Sequence, residues 1–392
     1  MNIQFKRAKL KYVAILLAGI STASISTMAH ADWSITGLGT LGGTFISVGG
    51  INDSGQVVGG VLNVDGNSHA FITGSNGVGM TDVHILVNGG ESDDFSDATN
   101  INNSGQIVGW TEGHAFITGA NGIGMTELGT LGGLQPSLAY GINDSGQVVG
   151  SSGAANGEEH AFITGPDGVG MTDLGTLSGD YSQASAINNS GQVVGIDNHA
   201  FRAFITGPDG IGMTYLATLG GSQAHPLDIN DFGQVVGAYF SAGDPDSFIT
   251  GPNGIGMTDL GTLGGEDSFA TGINDSGEVV GVAQTASGDE HAFIFSHGGI
   301  TDLSLLVPVI AAGWSGLQVA DINNNGQIAG TGINSHGDME AFLLSYTPDT
   351  VFTPSPIFIP PPPIPEPQTY LMLLAGLGLV GFMARRRKET AM

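Results

Sequence analysis

One phrase occurs seven times in this chain, and it constrains the fold more than any other feature. The phrase is Ile-Asn-(Asp/Asn)-Ser-Gly-Gln-Val-Val-Gly, and its copies begin at Ile51, Ile101, Ile142, Ile187, Ile229, Ile273 and Ile322. The copies vary at a few positions; for example, Phe232 replaces the serine in the fifth copy, and the last copy reads Ile-Asn-Asn-Asn-Gly-Gln-Ile-Ala-Gly. Successive copies are 50, 41, 45, 42, 44 and 49 residues apart. Such a period indicates one supersecondary unit copied into an array.

Each unit contains short strand candidates separated by turn residues. In the fourth copy they are Ala161–Thr164, Gly170–Leu174, Ser185–Asn188 and Gln192–Ile196. The sequence Asn188-Asn189-Ser190-Gly191 predicts a hairpin turn, because an Asx side chain bonds to nearby backbone N–H groups and glycine adopts a left-handed conformation. Gly165-Pro166-Asp167-Gly168 predicts a second turn with proline at its corner. We therefore predict four antiparallel strands in each unit.

Four antiparallel strands per unit, repeated in this way, are typical of a β-propeller. The frame is permuted, because Trp33–Leu38 matches the last strand of a unit and Ala341–Tyr346 matches the strand before it. We predict an all-β, seven-bladed propeller of four-stranded blades over residues 32–347, with the ring closed by the N-terminal strand. A β-solenoid is the alternative, although its rungs are usually shorter and it needs no permuted ends.

The first 31 residues have the pattern of a secretory signal peptide. Lys6, Arg7, Lys9 and Lys11 precede an apolar run from Tyr12 to Ile20. Small residues then lead to Ala29-His30-Ala31, an A-x-A cleavage site, so we predict cleavage after Ala31. The chain has no cysteine, so an exported form would be held together by packing alone.

The C-terminal region has three consecutive parts. Residues 348–364 are rich in proline and predict an extended linker. Pro365, Glu366 and Pro367 follow, and an apolar stretch from Tyr370 to Met383 predicts a short transmembrane helix. The basic residues come last: Arg385, Arg386, Arg387 and Lys388.

This order over residues 365–392 resembles the PEP-CTERM sorting signal of Gram-negative bacteria. The resemblance implies cleavage by an exosortase near the Pro-Glu-Pro motif, and an association with the export of an exopolysaccharide matrix. A permanent membrane anchor with a cytoplasmic basic tail is the alternative. Under both interpretations the repeats face outward.

The repeated phrase His-Ala-Phe, followed by the Asn-(Asp/Asn)-Ser-Gly-Gln turn, resembles the HAF family of probable extracellular repeats. The resemblance covers Trp33 to Tyr346 and implies an extracellular location. That family has no assigned biochemical activity to carry over.

The charge distribution excludes nucleic acid as a partner. The formal net charge is −27, and between the two basic ends the only Lys or Arg is Arg202. A surface of this kind repels phosphate backbones.

Three sets of repeated residues are candidates for a site, and each has a structural interpretation as well. Histidine precedes Ala-Phe at His69, His114, His160 and His291, but Arg202, Asp246 and Glu340 hold this position elsewhere, which favours a solvated strand end over a metal ring. The turn residues Asp53, Asp144, Asp231 and Asp275 allow a calcium site, although the turn lacks the spacing of an EF-hand. Aromatic residues able to stack on sugars are Trp110, Tyr140, Tyr181, Tyr239 and Trp314.

No catalytic set is apparent in the sequence. The acidic run Glu91, Asp93, Asp94 and Asp97 has no pair singled out by spacing, and a solvated surface is the simpler interpretation. We therefore expect a non-enzymatic secreted protein, sorted by exosortase, with exopolysaccharide or matrix proteins as partners and no cofactor. The alternatives are a carbohydrate-active propeller enzyme, in which two carboxylates would face one pocket, and a calcium-dependent adhesin.

Overall fold

The computed structural model describes residues 32–347 except 65, 84–94, 112–113, 199–200, 220–222 and 242–243. Seven four-stranded antiparallel sheets form the blades of a β-propeller, which confirms the predicted fold and blade number. The predicted signal peptide, linker and C-terminal helix lie outside the described residues. Within the described part of the chain, no helix is long and apolar enough to span a membrane.

The strands follow one another through the blades in chain order. Blades 1 to 3 contain β2 (Gly42–Ile51), β3 (Val57–Asn63), β4 (Ser68–Thr73) and β5 (Met80–Asp82); β6 (Ser96–Ile101), β7 (Ile107–Thr111), β8 (His114–Thr118) and β9 (Met125–Glu127); and β10 (Gly132–Ile142), β11 (Val148–Ala154), β12 (Glu159–Thr164) and β13 (Met171–Gly175). Blades 4 to 6 contain β14 (Ser182–Ile187), β15 (Val193–Asp197), β16 (Arg202–Ile205) and β17 (Thr214–Tyr215); β18 (Ala224–Ile229), β19 (Val235–Ser241), β20 (Asp244–Thr250) and β21 (Met257–Asp259); and β22 (Gly264–Ile273), β23 (Val279–Thr285), β24 (Glu290–Ser296) and β25 (Gly299–Asp302).

Blade 7 is assembled from both ends of the repeat region. Its strands are β26 (Ser315–Ile322), β27 (Ile328–Ile333), β28 (Met339–Thr347) and the N-terminal β1 (Asp32–Gly39), and the helix α1 (Val307–Ala311) precedes it. Strand β1 pairs antiparallel with β28, from Asp32 opposite Thr347 to Gly39 opposite Ala341. The predicted closure by the N-terminal strand is therefore confirmed, and it covers the edge that β28 would otherwise expose.

The hydrophobic core lies between adjacent blades. Each blade contributes one phenylalanine with no exposed surface: Phe71, Phe116, Phe162, Phe204, Phe248, Phe293 and Phe342. One core cluster shows the pattern, because Val58 and Ile72 of blade 1 pack with Ile107 and Phe116 of blade 2. Since each blade buries apolar side chains against its neighbours, the ring has to be complete to exclude water from every blade.

Both predicted turns are present, and they lie on the same face of the ring, because backbone hydrogen bonds join the two turns of a blade. The Asn188 turn is a hairpin turn in which Gly191 has φ +75°. The Gly165–Gly168 segment forms a 3-10 turn at Pro166–Gly168, and Asp167 adopts a left-handed φ of 53°. Pro166 therefore begins this turn, as predicted. The positive φ falls on Asp167, and Asp and Asn adopt such a backbone conformation more readily than most other residues.

Candidate functional site

The repeated phrases meet in the centre of the propeller, where the first strand of every blade ends. The cavity there is lined by the Ile-Asn-(Asp/Asn) segments of all seven blades. Its volume is about 150 Å³. Ligand pockets for small organic molecules usually measure about 300–1,000 Å³, so this channel is small for a sugar.

The first asparagine of each phrase forms what we call the asparagine ring: Asn52, Asn102, Asn143, Asn188, Asn230, Asn274 and Asn323. In each of them Nδ2 donates to the backbone carbonyl of the same residue in the next blade, at 2.9–3.2 Å. The bond from Asn323 to the carbonyl of Asn52 closes the circle. The side chains are buried, so these bonds tie the blades together where water cannot substitute.

The next residue of each phrase forms a second circle, the Asp/Asn ring: Asp53, Asn103, Asp144, Asn189, Asp231, Asp275 and Asn324. Each side chain accepts a hydrogen bond at 2.8–2.9 Å from the backbone N–H of the ring residue in the preceding blade. Asn103 and Asn189 also donate from Nδ2 to the carboxylates on both sides of them. Amides therefore alternate with carboxylates, and with an odd number of blades the alternation breaks once, between Asp231 and Asp275.

The four candidate calcium ligands, Asp53, Asp144, Asp231 and Asp275, are thus brought into one ring, but their oxygens accept hydrogen bonds from neighbouring blades. Among the described residues, no group of three or more acidic or histidine side chains has an arrangement that could hold a metal ion. The contacts therefore give these aspartates a role in joining the blades.

Two carboxyls in the channel break the sevenfold repeat, and sequence reasoning missed both. The residue before the phrase is Gly50, Asn100, Gly141, Ala186, Asp228, Gly272 and Asp321 in blades 1 to 7. Asp228 accepts hydrogen bonds from the N–H groups of Ile229 and Ile273 at 2.8 and 2.9 Å. Asp321 accepts from Ile322 and Ile51 at 2.7 and 3.1 Å. Comparing this one position across the seven units would have revealed the pair.

Burial in the lining of the narrow channel raises the pKa values of both carboxyls, because it disfavours their charged form. The pKa of Asp228 rises to about 6 and that of Asp321 to about 7, and backbone hydrogen bonds to each carboxyl partly offset the effect. The charge of Asp228 raises the pKa of Asp321 further. Each carboxyl bridges two blades, and Asp321 bridges blades 7 and 1, where the ring closes.

These shifts predict a pH-dependent stability. A raised carboxyl pKa means that the folded state binds a proton more tightly than the unfolded state, whose aspartates have a pKa of about 3.9. The resulting stabilisation is complete below about pH 4, declines as the pH rises, and is lost above the raised pKa values of about 6 and 7.

The Asp321→Asn variant should lose its share of this dependence. Asparagine occupies the same position naturally at Asn100, where Oδ1 accepts the N–H of Ile101 at 2.7 Å. The variant gives up one of two accepted bonds, so its melting temperature at pH 5 should be lower than that of the wild type. The deficit should shrink by several degrees between pH 5 and pH 8, whereas a constant deficit measured by thermal denaturation would contradict the raised pKa.

The candidate histidines are not brought together. His69, His160 and His291 each place Nδ1 at 2.7–2.8 Å from an aspartate on the neighbouring strand of the same blade: Asp82, Asp173 and Asp302. His114 is exposed, and the Arg202 guanidinium lies 3.6 Å from the ring centre of Tyr215. Burial alone would lower the pKa of His160, but hydrogen bonds and charges of Asp173 and Glu158 outweigh it and raise the pKa. In blades 1, 3 and 6 the histidine therefore joins the two outer strands instead of remaining a solvated strand end, whereas His114 of blade 2 is exposed as expected.

The five candidate aromatic residues are not brought together as one group, although Tyr140 and Tyr181 are near each other. Trp314 and Tyr239 are buried, and Trp110 packs on Phe95 with ring centres 4.7 Å apart. Tyr140 and Tyr181 are half-buried in blades 3 and 4. They do not form one sugar-binding surface.

The acidic run falls largely outside the described residues, because Glu91, Asp93 and Asp94 lie in the segment 84–94. Asp97 is described, and its solvated-surface interpretation is wrong. It is half-buried on β6, and burial raises its pKa to about 6.

Comparison with known proteins supports the sorting signal and the fold. Residues 363–388 match the PEP-CTERM protein-sorting motif. This motif is the recognition signal of exosortases, and it indicates an exosortase-sorted secreted protein that is directed to the cell envelope or the exterior. No curated protein matches the sequence.

Several solved structures share the architecture at low sequence identity. Oligogalacturonate lyase from Vibrio parahaemolyticus is 10% identical with a TM-score of 0.53, covering 81% of this chain and 97% of its own. A streptogramin B lyase is 11% identical with a TM-score of 0.51, covering 80% and 98%. The WD40 repeats of RRP9 are 10% identical with a TM-score of 0.50, covering 80% and 98%. These likenesses concern the fold alone.

Proposed function

We propose that this protein is a non-enzymatic component of the cell surface or extracellular matrix, in which the propeller serves a structural or adhesive role with exopolysaccharide. The PEP-CTERM motif at residues 363–388 is the observation that carries the proposal. Resemblance to the HAF family of extracellular repeats, noted above for residues 33–346, agrees with it.

The chemistry of the central channel supports a structural role. Most of its polar side chains are held in the asparagine ring and the Asp/Asn ring, where their donors and acceptors face neighbouring blades. Groups held in this way stabilise the ring, and they have few donors or acceptors left to bind a substrate. The acidic surface, with Arg202 as its sole Lys or Arg between residues 32 and 384, suits neutral or basic partners better than anionic ones.

Asp228 and Asp321 favour a second candidate function, a carbohydrate-active enzyme. They are two carboxyls in one cavity, with pKa values of about 6 and 7, and glycoside hydrolysis uses a pair of carboxyls of which one is protonated and the other ionised, although a cavity of about 150 Å³ is small for a sugar. Release of reducing ends from exopolysaccharide by the wild type, but not by Asp228→Asn and Asp321→Asn variants, would establish this function. Absence of turnover by the wild type would leave the two carboxyls as links between blades.

Co-sedimentation with exopolysaccharide tests the adhesive role. The propeller is a closed ring with its own core, so residues 32–347 should fold alone and can be mixed with exopolysaccharide from the producing bacterium. We expect saturable co-sedimentation. Binding that disappears with EDTA would assign the calcium-dependent alternative, and an absence of binding with and without calcium would contradict the adhesive role.

A further inference from the structure

A cleft opens between blades 6 and 7, on the face that carries the two rings. Its volume is about 430 Å³, within the range of about 300–1,000 Å³ that is usual for ligand pockets. Trp33 and Tyr346 line one side, and Glu278, His297 and Thr301 line another. Asn325, in the hairpin turn of blade 7, also lines it.

The cleft exists because the ring closes with the two ends of the repeat region. In blades 1 to 5 a 3-10 turn joins the third strand to the fourth, and it lies against the glycine of the hairpin turn in its own blade. A Cβ built on Gly146 would approach Asp167 N of that turn to 2.7 Å, and one on Gly191 would approach Asp209 N to 2.7 Å. In blade 7 the third and fourth strands, β28 and β1, are not consecutive in the chain, so no such turn joins them. A Cβ built on Gly326 would come within 4 Å of Glu278 Oε2 alone among the described residues, at 3.9 Å, so these residues leave the space above Gly326 open.

The aromatic pair in this cleft comes from the closing strands. Trp33 of β1 and Tyr346 of β28 are cross-strand partners, with ring centres 5.2 Å apart and planes inclined at 54°. Tyr346 is 40% exposed, so its ring is accessible. Neither residue belongs to the repeated phrase, which is why inspection of the repeats did not single them out.

Glu278 is a second departure from the repeat at this place. The sixth copy of the phrase reads Ser-Gly-Glu, whereas the other six copies have glutamine at this position. In four blades the glutamine Nε2 donates to an Asn or Asp of the 3-10 turn in the next blade: Gln56 to Asn121, Gln106 to Asp167, Gln192 to Asn253 and Gln327 to Asn76. The next blade after Glu278 lacks that turn. The carboxylate, which accepts a bond from Asn274 at 2.8 Å, therefore also borders the cleft.

We propose that this cleft is a saccharide-binding site for neutral or amino-sugar units of a polysaccharide. The aromatic faces suit the C–H-rich faces of pyranose rings, and the carboxylate, imidazole, hydroxyl and amide groups beside them suit sugar hydroxyls or an ammonium group. Glu278 and the acidic surface disfavour uronic acids. A proline-rich peptide also binds aromatic grooves, but the carboxylate and imidazole in this cleft favour a hydroxylated ligand. The site deepens the proposed exopolysaccharide role and rests on it.

Calorimetric titration of residues 32–347 with size-fractionated oligosaccharides released from the producer's exopolysaccharide tests the proposal. The Tyr346→Ala variant should bind at least about tenfold more weakly, and Glu278→Gln, which restores the residue of the other repeats, about three- to tenfold more weakly. Trp110→Ala removes an aromatic residue of blade 2 as a matched control and should bind within about twofold of the wild type. Near-ultraviolet circular dichroism checks that each variant keeps its tertiary packing.

The outcomes separate the cleft from the broader function. Wild-type binding that survives both cleft variants overturns the cleft as the site and leaves the exopolysaccharide role intact. Failure of the wild type to bind either the oligosaccharides or the intact polysaccharide contradicts both. A third outcome is that the protein binds a synthetic peptide of residues 348–364 and no oligosaccharide, and that Tyr346→Ala abolishes the peptide binding. This result would make the cleft a peptide groove and overturn the saccharide assignment.

Discussion

Deletion of β1 (Asp32–Gly39) is expected to abolish the folded monomer. The strand supplies the outer edge of blade 7 and pairs with β28 from Asp32 to Gly39. Its removal exposes the edge of β28 and uncovers the core cluster around Phe342 and Leu344, against which Trp33 and Ile35 pack. An exposed edge strand is also a template for pairing with another chain. Denaturation followed by circular dichroism should therefore show no cooperative transition of a monomer, and light scattering should show association.

The matched control for this deletion is removal of residues 348–392, which follow β28 in the sequence. The truncated protein should have the same unfolding midpoint as the protein that retains residues 348–392. A β1-deleted protein that remains monomeric, with a midpoint close to that of the control, would show that closure by the N-terminal strand contributes little to stability.

Asn188→Ala is expected to lower the free energy of unfolding by about 3–5 kcal/mol, because it leaves several buried partners without a hydrogen bond. The Asn188 carboxamide donates to the carbonyl of Asn230 and to Gln192 Oε1, and its Oδ1 accepts from Ser190 N, Ser190 Oγ and Gln192 N. The side chain is only 3% exposed. Urea denaturation measures the change directly.

Asn189→Ala is the adjacent control in the exposed Asp/Asn ring. It removes bonds to Asp144 and Asp231, but water can reach these partners, so a loss under about 1 kcal/mol is expected. Equal losses for the two variants would mean that the buried asparagine ring has no special part in holding the blades together.

Repetition made the architecture predictable from the sequence. Each copy of the phrase specifies the same turn and the same strands, so seven weak local signals agree on one blade. The permuted ends, Trp33–Leu38 and Ala341–Tyr346, then indicated how the ring closes, and the pairing of β1 with β28 confirms it.

The features that carry specificity were harder to predict, because they are departures from the repeat. Asp228 and Asp321 lie one residue before the phrase, outside the pattern that defines a unit. Their raised pKa values depend on burial in a channel that forms only when all seven blades meet. The cleft at Trp33 and Tyr346 depends on a turn that blade 7 lacks, and Glu278 marks that place only once its neighbours in space are known. The partners of the histidines, such as Asp82 beside His69, similarly follow from strand register.

The intact mass and terminal sequences of the protein released by its producer test whether an exosortase sorts it. We expect an N-terminus at Asp32 and a C-terminus near Pro365-Glu366-Pro367, and hence a mature chain that trypsin can cut only after Arg202. In a strain lacking exosortase, the C-terminal residues Arg385–Lys388 should remain on the protein. A surface protein that keeps this basic tail in the wild-type strain would contradict exosortase cleavage and establish a permanent anchor.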